Sequence, residues 1–373
     1  MCYPYKRAQN HKLLILTRPG DRSSSAGADE KCVLQPAVIL ALACACLGTL
    51  WLALASVAVA NRAVYDRWRR VGGRRLRAAA GSRRERRLLR RAANHRTGAG
   101  RWRRVATLQA LAEARHPAAR ALLERALADA DPAVVGATIT ALGRLGDDWA
   151  AAALVEALRD DLYSRSRIAA QLERLAPNVG HLLVPLLDDA RAPVRFWAAT
   201  LLARYPGLAV DRLIACTQDG DANVRAAALE ALGASGQAST LPAALRLLDD
   251  PAWFVRAHAC RAVGALGSPA AAADLASHLA DDWWWVRAAA KDALRSFGAA
   301  AATAVVPYLE HPDRFARNSA AEVLQDIGFV DALAVRDPGG DLLARIYSAG
   351  GRRLQAAAER RVEAFPKAEE RAA

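Results

Sequence analysis

The chain has 373 residues, 53% of them hydrophobic and only 6% aromatic, with a formal net charge of +14. Alanine, leucine and arginine dominate, which suits an all-α protein with one extended core. The charge is unevenly placed: residues 61–104 carry a net +15, residues 1–36 a net +3, and residues 105–373 a net −4. A mildly acidic remainder argues against a repeat surface that tracks a nucleic-acid backbone.

Residues 1–36 have no clear periodicity and are expected to form a disordered tail. Residues 37–60 (AVILALACACLGTLWLALASVAVA) then run 24 positions without a charge. At about 1.5 Å per residue such a helix reaches roughly 36 Å, enough for a hydrocarbon core of about 30 Å. One transmembrane helix is therefore expected. Arg62, Tyr65, Arg67, Trp68, Arg69 and Arg70 follow it as the aromatic and cationic collar of a membrane interface. Seven arginines lie within twenty residues after the span, against Arg18, Arg22 and Lys31 before it. The positive-inside rule then puts the remainder of the chain in the cytoplasm, as a single-pass protein of the inner membrane. A cleaved signal peptide ending at Ala58-Val59-Ala60 is the competing reading; the long leader and the arginines just downstream speak against it.

Residues 61–98 form an arginine-rich juxtamembrane segment, interrupted by Gly72, Gly73 and Gly81. It is expected to lie against anionic lipid headgroups, at about 1 kcal/mol per basic residue near the surface.

From residue 99 to 350 an arginine returns every 30 or 31 residues: Arg104, Arg165, Arg195, Arg225, Arg256, Arg287 and Arg317, with Val135 at the one missing position. So constant an interval means one supersecondary unit copied about eight times. Ala198, Ala228, Ala259 and Ala290 stand three residues after the arginine; Leu111, Leu142, Leu172, Leu202, Leu232 and Leu294 stand seven after it. Offsets of three and seven share one helical face, so each arginine opens a helix whose apolar stripe looks inward.

Six residues before the arginine come Asp129, Asp189, Asp219, Asp250 and Asp281. Each ends an apolar segment such as 181–187, so the unit reads helix, turn, helix. The aspartates are expected to cap the second helix, and the arginines to pair with their own or the next repeat's carboxylate, in a structural ladder of Arg195, Arg225, Arg256 and Arg287 with Asp189, Asp219, Asp250 and Asp281. Pro185 and Pro307 share a column within the first helix, where a kink is expected.

Stretches such as DANVRAAALEALGASG (221–236) and DDWWWVRAAAKDALRSFG (281–298) resemble HEAT-like repeats of the short kind found in phycobilisome-lyase-type proteins. That resemblance implies a right-handed α-solenoid over residues 99–350, followed by a C-terminal capping helix and tail at 351–373. Such repeats serve scaffolds, adaptors, a few DNA-repair enzymes and one class of metal-dependent hydroxylase, so the resemblance specifies a fold more than an activity.

No catalytic or ligand set accompanies the repeats. The six cysteines make no CxxC pair, the seven histidines make neither HExxH nor the His-Glu dipeptide of HEAT-like hydroxylases, and no phosphate loop or GxSxG occurs. No enzyme activity and no cofactor are expected. Cys216 and Cys260 are read as small buried hydrophobes. The paired acids, Asp281-Asp282 among them, recur at the turns and are read as caps.

Aromatic residues gather just ahead of the arginine column: Trp253, Phe254, Trp283, Trp284, Trp285 and Phe315, with Trp197 further into its helix. Aromatics are favoured anchors of protein interfaces, so these residues are the candidate partner-binding edge. The functional expectation is a membrane-tethered cytoplasmic scaffold or adaptor of bacterial type that holds a protein partner, with envelope or polysaccharide machinery as a client. A nucleic-acid-binding repeat protein and a lyase-like enzyme are the alternatives.

Overall fold

The computed structural model describes residues 99–175, 179–337 and 339–350, with Arg83, Arg86, Arg87, Leu89 and Arg90 before them. The expected tail, the 37–60 span, its collar of Arg62, Tyr65, Arg67, Trp68, Arg69 and Arg70, and the 351–373 cap lie outside the described residues. Among the described residues there is no strand, and no helix is long and apolar enough to cross a membrane.

Helices alternate between two layers. One layer holds α1 (Ala99–Glu113), α3 (Pro132–Leu145), α5 (Arg165–Leu172), α7 (Ala192–Leu202), α9 (Ala222–Ser235), α11 (Trp253–Leu266), α13 (Trp284–Ser296), α15 (Arg314–Asp326) and α17 (Asp341–Ala349). The other holds α2 (Ala119–Leu127), α4 (Asp148–Arg159), α6 (Gly180–Leu183), α8 (Val210–Cys216), α10 (Leu241–Arg246), α12 (Ala272–Ser277), α14 (Ala302–Val305) and α16 (Phe329–Arg336). Each odd helix packs on the next odd helix and on the even helix just before it. Every arginine of the grid, and Val135, lies in an odd helix, so the periodicity marks the second helix of each repeat.

Between the layers the expected columns are buried: Ala198, Ala228, Ala259 and Ala290 are fully enclosed, as are Leu111, Leu142, Leu232 and Leu294. Each enclosed leucine contributes about 1.5–3 kcal/mol relative to exposure. The alanines permit close approach, and Gly264 takes this furthest: a Cβ there would stand 2.8 Å from the Cα of Ala293 on α13. Gly236 and Gly267 end α9 and α11 at φ 63° and 70°, the left-handed conformation that closes a helix.

Two local expectations are corrected. Pro185 and Pro307 do not kink an α-helix; they sit at the start of tighter 3-10 segments, Val184–Asp188 and Val306–Glu310, which finish the first helix of their repeats. The same tightening occurs without proline at Leu247–Asp249 and His278–Ala280, so it belongs to the repeat. The aspartates of the acid column are also not the N-caps. Asp189, Asp219, Asp250 and Asp281 each accept the amide N–H two residues on, at 2.8–2.9 Å, and so fold the turn one step before the helix. The residues that donate this bond, Arg191, Asp221, Ala252 and Trp283, are the caps.

Candidate functional site

The site is best built from the joints of the stack. Arg195 donates Nε and Nη2 to the two oxygens of Asp219 at 2.6 and 2.8 Å, while Nη1 donates to the carbonyls of Asp189 and Ala190 at 2.8 and 3.0 Å. Arg225 repeats this on Asp250, and Arg256 on Asp281, with fork distances of 2.7–2.9 Å. Each guanidinium therefore holds its own repeat's turn by backbone and the next repeat's turn by carboxylate, a bidentate geometry that only arginine supplies. Arg104 and Asp129 pair across the first joint, both nearly enclosed.

These contacts set the charges. Arg195 holds the Asp219 carboxyl below its usual range, and Asp219, Asp250 and Asp281 raise the arginines that bind them. At Asp281 burial pushes the carboxyl up, but the Arg256 fork and the Trp283 N–H outweigh it and the net shift is downward.

The ladder is not continuous. Arg165 turns to the Leu158 carbonyl and the Asp161 carboxylate, so Asp189 is instead held by Arg191 in its own turn and by Arg159 at 3.5 Å. Arg191 lowers the Asp189 carboxyl to about 2. Arg287, expected to be a rung, is not one. Its Nη1 makes the usual bonds to the carbonyls of Asp281 and Asp282, at 2.6 and 3.2 Å, but the acid column carries His311 at the next turn. His311 Nδ1 accepts the Asp313 N–H at 3.1 Å, so the ring reproduces the turn-forming half of an aspartate without its charge. The Arg287 guanidinium lies over the ring of Phe315, 5.4 Å from its centroid.

The aromatic set divides around this break. Trp197 is half-buried and packs edge-on to Phe196. Trp253 and Phe254 are half-buried against the core. The solvent-facing members are Trp283, Trp284, Trp285 and Phe315, at 49, 57, 52 and 55% exposure. Three consecutive tryptophans all reach solvent because they occupy the entry to α13. Trp283 is the cap, in extended backbone at φ −93° and ψ 121°, and its ring stacks on Trp253 of the preceding repeat with centroids 5.3 Å apart. Trp284 and Trp285 meet edge to face at 4.4 Å. Phe315 enters α15 one repeat on, with Arg287 and Arg314 each 5.4 Å from its ring.

Four large aromatics thus stand at the two helix entries on either side of Arg287, whose guanidinium takes no carboxylate among the described residues. The aromatics are among the residues expected from sequence, Arg287 was expected as a plain rung, and His311 and Arg314 were not expected at the site. The signal was present: His311 stands six residues before Arg317, in a column that carries aspartate in five other copies.

Comparison with known proteins bears on the fold. The chain matches HEAT repeats over residues 97–173, 179–249 and 210–295, just over half its length. No curated protein matches it. Among solved structures, an engineered protein is 18% identical with a TM-score of 0.43, covering 81% of this chain and 94% of its own. Human deoxyhypusine hydroxylase is 20% identical with a TM-score of 0.30, covering 69% and 98%. The CpcE–CpcF complex of phycocyanin lyase from Nostoc sp. is 23% identical with a TM-score of 0.36, covering 61% and 92%. At these scores the activities of those proteins remain theirs alone. The repeated helix pairs and the match along the arginine grid make this chain a member of the HEAT-repeat family.

Proposed function

We propose that the protein is a non-enzymatic scaffold that binds a protein partner through the edge formed by Trp283, Trp284, Trp285 and Phe315. The observation that carries this reading is the clustering of four half-exposed aromatic side chains at two adjacent helix entries. Large exposed aromatics cost solubility when left in water and become anchors when a partner covers them. The 24 uncharged residues at 37–60 and the arginines after them support a tether to the inner membrane, with the repeats on the cytoplasmic side and the 61–98 segment against anionic headgroups. Envelope or polysaccharide-synthesis machinery is a client suited to that location.

The test is photo-crosslinking in the cell of origin, with a photoreactive residue placed in the full chain at Trp284 or Trp285, and at Val335 as an exposed control. One discrete protein adduct from the tryptophan positions and none from Val335 is expected. Equal yields at all three, or no protein adduct at any, would overturn the reading.

A further inference from the structure

The arginine ladder is interrupted at Arg287. At three joints, those of Asp219, Asp250 and Asp281, an arginine fork donates to both oxygens of a carboxylate 24 or 25 residues on, at 2.6–2.9 Å. Arg287 is built into the same frame. Its Nη1 is fixed by two carbonyls of its own turn in the manner of Arg195, Arg225 and Arg256, and the residue 24 positions on is His311. No carboxylate of the described residues reaches its fork. Arg317, one repeat further, likewise has Nη1 held by the carbonyls of His311 and Pro312, at 2.7 and 2.8 Å, and no carboxylate within reach among the described residues.

The surroundings favour an anion with an apolar neighbour. Of the acids beside Arg287, Arg314 and Arg317 in the chain, Asp281 is held by the Arg256 fork, Glu310 pairs with Arg345, and the Asp313 carboxylate is engaged by the Phe315 and Ala316 amides. Phe315 lies beneath both Arg287 and Arg314, and Trp284 and Trp285 stand three and two residues before Arg287 at the entry to its helix. A preoriented guanidinium beside exposed aromatic rings is suited to a carboxylate side chain next to an aliphatic or aromatic one.

We propose that the Arg287 fork, bordered by Trp284, Trp285 and Phe315, is a docking site for an acidic segment of the partner protein, whose aspartate or glutamate supplies the carboxylate that His311 withholds. This deepens the scaffold reading and rests on it. His311 keeps the turn folded through Nδ1 while leaving the joint open to a carboxylate from outside. A nucleic-acid phosphate would also fit a guanidinium fork, but residues 105–373 carry a net −4, which disfavours a polyanionic backbone on this surface.

The test uses the full chain in detergent micelles and two fluorescein-labelled peptides, Leu-Asp-Leu-Asp-Leu and its Asn counterpart, followed by anisotropy. The wild type is expected to bind the Asp peptide about tenfold more tightly or better, the scale of one charge-assisted bidentate contact. His311→Asp should supply the missing carboxylate internally and bring the two affinities together. His311→Asn, which preserves the turn-forming acceptor without a charge, should keep the preference, and Arg287→Met should lose it. Equal binding of both peptides by the wild type, or an undiminished preference in His311→Asp, would overturn the proposal. If crosslinking at Trp284 succeeds while these peptide results fail, the scaffold reading survives and the carboxylate assignment does not; if crosslinking fails, the reading beneath it falls as well.

Discussion

Arg225 grips Asp250 with both prongs of its guanidinium, at 2.7 and 2.9 Å, while its remaining nitrogen holds the Asp219 carbonyl at 2.8 Å. One side chain thereby ties two consecutive turns, and the Asp250 side chain is only 3% exposed. Replacing Asp250 with alanine leaves a half-buried cation without its partner and should lower stability by about 3–5 kcal/mol. Arg225→Met/Asp250→Leu together should recover a large part of that loss, because the enclosed charge is removed with its mate. Urea unfolding of the full chain, followed by hydrogen exchange in α9 and α11 to localise the effect, checks both.

Gly264 inverts the usual rule for glycine in a helix. Alanine in place of an interior glycine ordinarily adds about 1 kcal/mol of stability, but here the added methyl would stand 2.7 Å from the Ala293 Cβ and 2.8 Å from its Cα. Gly264→Ala should therefore destabilise, by roughly 1–3 kcal/mol as overpacking does. Gly267→Ala is a different case: its neighbourhood is open, and its cost should come from φ 70° alone.

Acid should loosen the stack in two stages. Burial depresses His258 and His278, with Arg261 adding to the effect at His258, so the unfolded chain takes up protons first as pH falls below about 6.5 and stability begins to decline there. Asp189, Asp219 and Asp281 are held below the ordinary carboxylate range, so their contribution is complete above about pH 4 and is lost as pH falls through their folded values, about 2 for Asp189. Melting temperature measured from pH 8 to pH 2 should show a shallow decline and then a steep one. Asp281→Asn should flatten the steep limb.

Cys216 and Cys260 should be silent toward thiol reagents in the folded protein. Burial pushes their thiols up to about 11 and about 12, and both side chains are enclosed. Iodoacetamide at pH 8, read by peptide mass spectrometry, should label either residue only after denaturant is added.

The repeat was legible in the sequence because a single arginine spaced 30 or 31 residues apart needs no structure to be seen, and the alanine and leucine columns behind it follow from helical geometry. Partner choice was not legible. Whether Arg195 reaches back six residues or forward 24 depends on how one repeat lies on the next, and the structure uses both directions through different nitrogens. The cap was misassigned for a related reason: an aspartate two residues ahead of a helix folds the turn, and one at the helix start closes it, a distinction of backbone angle invisible in composition. Asp189 illustrates the limit, since its in-turn pairing with Arg191 follows from Arg165 turning elsewhere. Among the aromatics, sequence could place Trp253 and Trp284 in one column but not foresee that Trp253 would stack on Trp283 and stay half-buried while Trp283 and Trp284 face solvent.

The most direct test of the aromatic edge is hydroxyl-radical footprinting of Trp283, Trp284 and Trp285, compared between intact cells and the purified full chain. These three should oxidise readily when purified and be protected severalfold in cells, while exposed Leu162, several repeats earlier, reacts alike in both. Equal oxidation of the three tryptophans in the two settings would contradict a partner-covered edge.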